Sequence, residues 1–164
     1  MRTTLSVLGR KARSFRRRPL PEKLWFGPAF LLLGLSRLAL LMLPFRWIAR
    51  RLGHSLKAAA VVPLAARAET DRALRIGRAI EAAARYTPWD SACLAQAITA
   101  RILLGLNGLP YALYLGVDKR GDAGIAAHAW VCTGRAAVTG GHSFGEFTVI
   151  GTYSSLKPRP TTGC

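Results

Sequence analysis

The chain is predicted to be α+β, with N-terminal helices followed by a cysteine-bearing helix packed on a small antiparallel sheet. Three observations carry that prediction. Glu69-Thr70-Asp71 opens a stretch whose apolar residues recur at helical spacing to about Tyr86. A second helix starts around Asp90-Ser91 and runs to about Gly105. Four short runs, 113–117, 128–132, 136–138 and 147–150, then read as strands separated by polar or glycine-containing connections. At 164 residues there is length for one core of ordinary size.

The N-terminal region, 1–68, stands apart by charge. It holds 14 Lys or Arg against the single acid Glu22, a balance of +13, whereas the remainder carries ten against seven, a balance of +3. The run Arg10-Lys11-Ala12-Arg13-Ser14-Phe15-Arg16-Arg17-Arg18 lacks interleaved aromatics or a base-reading motif, which argues against nucleic acid as the partner. Leu24 to Leu43 follows, twenty residues in which Arg37 is the only charge. That length can cross a bilayer, but Arg37 is costly near the middle of a span, and Gly27, Pro28 and Gly34 loosen the helix. The segment starts late and has no small-residue cleavage site of a secretory signal. Spanning, lying in an interface and covering the rest of the protein all remain open. A basic segment beside it favours an anionic membrane surface over a neutral one. Residues 46–68 read as a further helical stretch, broken at Gly53 and Pro63.

Residues 69–155 form the expected catalytic domain. In the first helix Ala73, Leu74, Ile76, Gly77, Ile80, Ala83 and Ala84 make one stripe, expected to pack on the cysteine helix, with Arg72, Arg75, Arg78 and Arg85 outside. In the second, Asp90 or Ser91 is placed to cap the N-terminus, which puts Cys93 in the first turn. The unpaired N–H groups and positive end there favour an anionic sulfur and can hold an oxyanion. His128 lies on a strand, Ala126-Ala127-His128-Ala129-Trp130-Val131, from which an imidazole can face the thiol as base and then acid. The runs 136–138 and 147–150 read as a second strand pair, with Thr139-Gly140-Gly141-His142 between them. Cys132 alternates with Trp130 and His128 and reads as a packing residue.

Three cysteines, at 93, 132 and 164, do not make a disulfide framework, so a reducing, cytoplasmic setting fits a working thiol. Pro and Thr in the 156–164 tail point to a flexible segment. His54, His128 and His142 lie far apart in sequence, so no metal or other cofactor is expected.

Cys93-Leu94-Ala95-Gln96-Ala97, Leu103-Leu104, the Gly108-Leu109-Pro110 turn, Leu115-Gly116-Val117 and His128-Ala129-Trp130-Val131 together resemble a known pattern. It is that of the transglutaminase-like (papain-like) leader peptidases, the B proteins, of lasso-peptide biosynthesis. Leu43-Pro44-Phe45-Arg46 is similar to the segment preceding that domain. The resemblance implies a cysteine peptidase that removes the leader from a ribosomally made precursor peptide. Cys93 would be nucleophile and His128 general base and acid. It also implies a separate leader-recognition protein, and an ATP-dependent lasso cyclase that uses the released amine. Such triads place an aspartate after the histidine strand, but Val138-Thr139-Gly140-Gly141-His142 holds no carboxylate. Asp90, Asp118, Asp122, Glu146, the Thr139 hydroxyl and a backbone carbonyl all remain candidates. Two other functions stay open: a thiol enzyme of this fold acting on another amide, and a catalytically silent scaffold docking precursor and cyclase at the membrane.

Overall fold

The computed structural model describes residues 20–118, 126–141 and 145–155. The basic run Arg10 to Arg18, Asp122, His142 and the 156–164 tail lie outside the described residues. Helices α1 (Leu20–Met42) and α2 (Phe45–Ala49) and strand β1 (His54–Ser55) come first. Then follow α3 (Arg67–Ala84), α4 (Cys93–Leu106), β2 (Ala112–Asp118), β3 (Ala127–Thr133), β4 (Ala136–Thr139) and β5 (Phe147–Ser154). The architecture is the expected one: α+β, with helices packed against a small antiparallel sheet.

Helix α4 is the axis of the packing. Ala95, Ala97, Ile98, Thr99, Ala100, Leu103 and Leu104 are all buried, and the small residues among them let neighbours approach closely. Its C-terminus is closed by Leu109 N–H donating to Leu104 O at 2.9 Å, with Gly108 at φ +63, where glycine is favoured. The α3 stripe buries Ala73, Ile76, Gly77, Ala79, Ile80, Ala82 and Ala83, while Leu74, Ala84 and Arg75 are half-buried. That stripe meets α1 and β4 as well as α4. Gly77 abuts β4 so closely that a Cβ there would collide with the Val138 carbonyl.

Helix α1 lies along the other helices. Ala29 and Leu33 are fully buried in the main core. Ser36 Oγ and Thr99 Oγ1 share a buried hydrogen bond of 3.2 Å. Phe26 meets Tyr86 edge-on at 5.6 Å, and Phe30 meets Trp89 at 5.4 Å. The opposite side of α1 presents Leu24, Leu31, Leu35, Leu38 and Met42 to solvent, at intervals that keep them on one stripe. This helix therefore has two apolar faces and covers the helical layer with only one of them.

The five strands are ordered β1-β5-β2-β3-β4, all neighbours antiparallel. The strands at 136–139 and 147–154 are not partners of each other. β4 pairs with β3, and β5 pairs with β2 and β1, so β5 crosses to the far side of β2. The helical stretch expected over 46–68 is present only at its ends, in α2 to Ala49 and in α3 from Arg67. After α2 and β1 the chain is irregular to Ala66, pinned by Leu56 N–H to Thr152 O at 2.9 Å and by Thr152 N–H to Lys57 O at 2.7 Å. The Tyr114 hydroxyl donates to Val61 O, which anchors this segment near Trp130. Backbone pairing with β5 and a buried tyrosine outweigh the helix propensity of its alanines.

Two apolar clusters divide the sheet by face. Leu113, Ala129 and Val131 join the main core with the helices. Ala112, Tyr114, Trp130 and Cys132 form the smaller one, flanked by Phe147 and Val149.

Candidate active site

Cys93 is the first residue of α4, one step closer to the helix start than a capping Ser91 would place it. The residue before the helix is Ala92, which makes no side-chain cap. Neither Asp90 nor Ser91 caps. The Ser91 hydroxyl hydrogen-bonds Thr87 Oγ1 at 2.8 Å, and Ser91 O accepts from Gln96 Nε2 at 2.8 Å. The turn is thus held by Thr87, Ser91 and Gln96, and among the described residues no side chain caps the helix start. Half-buried Cys93 packs with Leu94 against the main core.

The thiol borders an apolar cleft of about 250 Å³ lined by Phe45, Leu94, Leu115, Ala127, His128 and Ile150 among others. Cys93 and His128, singled out from separate stretches of sequence, border the same cleft. They are not hydrogen-bonded to each other among the described residues. Strand parity explains why. Ala129 and Val131 face the helices, while Trp130 and Cys132 face away. His128 shares the parity of the second pair. Its ring stacks on Phe147 at 4.9 Å and on Trp130 at 5.9 Å.

The imidazole is held from its far end. Nε2 lies 2.9 Å from Gly140 O. A carbonyl only accepts, so this bond puts the proton on Nε2 and leaves Nδ1 as the nitrogen able to receive one. Gly140 sits just after β4, the place where an orienting carboxylate was expected. It has φ +78, and a Cβ there would lie 2.7 Å from both Ala129 O and Trp130 Cβ. The backbone carbonyl, one of the candidates left open by the sequence, is what bonds the ring.

The remaining candidates are elsewhere. Thr139 is buried and its hydroxyl has no hydrogen-bond partner among the described residues. Asp90 lines a separate polar cleft with Glu81, Arg85 and Gln96. Asp118 ends β2, and Glu146 is exposed before β5. Cys132 is buried in the smaller cluster, and that burial pushes its thiol up to about 11. A thiol so disfavoured as anion packs rather than attacks. Burial, with Cys132 adding to it, pushes neighbouring Tyr114 up to about 12. No group of three or more His, Cys, Asp or Glu side chains that could hold a metal ion occurs among the described residues.

Comparison with known proteins adds one match. A family model described as the transglutaminase-like superfamily aligns with residues 39–152, from the end of α1 into β5. No curated protein and no solved structure matches the chain.

Proposed function

The chain belongs to the transglutaminase-like superfamily, and from that premise we propose that it is a cysteine peptidase which trims the leader from a lasso-type precursor peptide. The observation that carries this reading is the shared cleft: a thiol at the first position of a buried helix and an imidazole on the neighbouring sheet. In this reading Cys93 gives its proton to Nδ1 of His128 and attacks the scissile amide carbon. The oxyanion is held by the N–H groups at the α4 start, which no side chain caps. The imidazolium then protonates the leaving amine, and water hydrolyses the thioester by the same route in reverse. This reading requires the imidazole, now stacked on Trp130 and Phe147, to reach the thiol when substrate fills the cleft, as catalytic hydrogen bonds can form only then.

The partners follow from the same reading: the precursor, a separate leader-recognition protein, and an ATP-dependent cyclase that consumes the released amine. The cytoplasm is the matching compartment. The domain plan that goes with it is a catalytic unit over 69–155 preceded by an N-terminal helical region.

The test is cleavage of a precursor by the full chain with its recognition protein, followed by mass spectrometry. Cys93→Ala is expected to abolish cleavage and keep the fold, while Cys132→Ala and Cys164→Ser keep most activity. Wild-type rates in Cys93→Ala would remove the nucleophile assignment. A second reading, a catalytically silent scaffold, is favoured by the backbone carbonyl that bonds His128 where a carboxylate was expected. Under it, Cys93 does not react with a thiol-directed amide mimic.

A further inference from the structure

A second cleft lies along the same helix face as the first. Cys93 and Leu94 line the first, and Ile98, Arg101 and Ile102 line the second, a cavity of about 430 Å³. Leu94, Ile98, Arg101 and Ile102 fall on one stripe of α4, spaced four, three and one residues apart. At about 1.5 Å per residue, the second cleft is centred roughly 10 Å from the first along the helix. About three residues of extended chain cover that distance. Helix α2 adjoins both clefts, with Phe45 bordering one and Trp47 the other.

The chemistry of the second cleft is specific. Leu43 and Trp47 form an apolar wall, and among the described residues the charged ones that line it are Arg51 and Arg101, with no carboxylate. Arg101 stacks its guanidinium over the Tyr111 ring at 6.0 Å, and its buried Nε has no hydrogen-bond partner among the described residues. Arg101 is half-buried and Arg51 exposed, so two positive charges border the apolar wall, a setting that favours an incoming carboxylate. The size is that of a small-ligand or side-chain pocket.

Building on the peptidase reading, we propose that this second cleft is a specificity subsite for the substrate peptide. It takes an apolar side chain with a carboxylate beside it, about three residues from the scissile amide. The apolar group fills the space between Leu43, Trp47 and Ile98, and the carboxylate bonds Arg101 and Arg51. Substrates of this enzyme are therefore acidic and apolar at that position.

The test measures binding separately from cleavage. Full-length protein carrying Cys93→Ala is titrated with short fluorescent peptides that differ only in a Leu-Glu, Leu-Gln or Leu-Lys pair. The Leu-Glu peptide is expected to bind about tenfold tighter than Leu-Gln, the worth of a charge-assisted hydrogen bond. Arg101→Gln and Arg51→Gln should each erase most of that preference. Arg51 is exposed, so Arg51→Glu tests the idea without burying a new charge, and it should favour the Leu-Lys peptide. With Cys93 intact, the Arg51 variants should raise KM and leave kcat in place. An unchanged Leu-Glu preference in all the arginine variants overturns the subsite, whether or not the protein cleaves. Loss of preference in those variants, with no cleavage by the wild-type chain, keeps the subsite and overturns the peptidase. Displacement of the peptide by anionic vesicles, with tighter binding to the vesicles, makes the cleft a lipid site and also overturns the proposal.

Discussion

Two helical glycines should respond in opposite directions to the same replacement by alanine. In a helix interior Gly→Ala is worth about 0.5–1 kcal/mol of stability through backbone entropy. Gly105, in the last turn of α4, is exposed and a Cβ there meets nothing within 4 Å. Gly105→Ala should therefore stabilise by about 0.5 kcal/mol, the low end because the helix is near its end. Gly77 has no such room. Its Cβ would collide with the Val138 carbonyl and stand 3.0 Å from Val138 Cγ1. The obstacle is mostly the β4 main chain, which cannot turn aside as a side-chain tip can. Overpacking of this kind costs about 1–3 kcal/mol. Net of the helix gain, Gly77→Ala should destabilise by about 1–2 kcal/mol, which lowers Tm by roughly 2–8 °C in a chain of this size. Urea unfolding followed by far-UV circular dichroism gives both signs in one experiment. If Gly77→Ala matches the wild type, or both variants shift the same way, the close packing of α3 on β4 is wrong.

Three further outcomes are expected. On the proposed reading, in which the two act as a unit, His128→Ala should lose cleavage about as fully as Cys93→Ala, and the double variant should be little worse than either; multiplicative losses would reduce His128 to a packing residue. Stability should fall as pH rises from about 9 through about 11, since buried Cys132 keeps its proton in the folded state while the unfolded chain gives its own up. Cys132→Ala should flatten that part of the urea-midpoint profile, and an unchanged slope would remove Cys132 as its source. The full-length protein should float with anionic vesicles in a salt-sensitive way, with the exposed leucines of α1 lying in the interface and carbonate releasing it. Resistance to carbonate would instead mean that α1 leaves the helical layer and spans the bilayer.

Much of this architecture was legible because periodicity is a local signal. The 3.6-residue stripe of α3, the buried run of α4 and all four predicted strands are written into consecutive residues. Pairing is not local, and consecutive residues do not specify it. Runs 136–138 and 147–150 are neighbours in sequence, yet β5 pairs with β2 through a register that includes a shift between Leu115 and Gly116. Residues 56–66 read as helical from composition, but Thr152 and Tyr114, distant in sequence, hold them irregular. The cap failed for a related reason: the Ser91 hydroxyl has a competing partner in Thr87. Cys93 and His128 could be named as candidates from their settings, and they border one cleft. The orienting group could not be singled out, because every residue carries a carbonyl and only the fold aims this one.

The bond between His128 and Gly140 O has a consequence for how the site can be altered. A carbonyl does not titrate, so the ring's orientation survives acid that would neutralise a carboxylate in that role. Nor can replacement of a side chain delete the acceptor, as Asp→Asn removes the charge in a conventional triad. The bond yields only to changes in the course of the main chain: at Gly140, whose φ of +78 aims the carbonyl, or at Gly77, which lets β4 lie where it does. Control of the imidazole is thus distributed over backbone geometry two elements deep. Substitutions that tune it will be found among glycines and edge-strand packing residues rather than among acids.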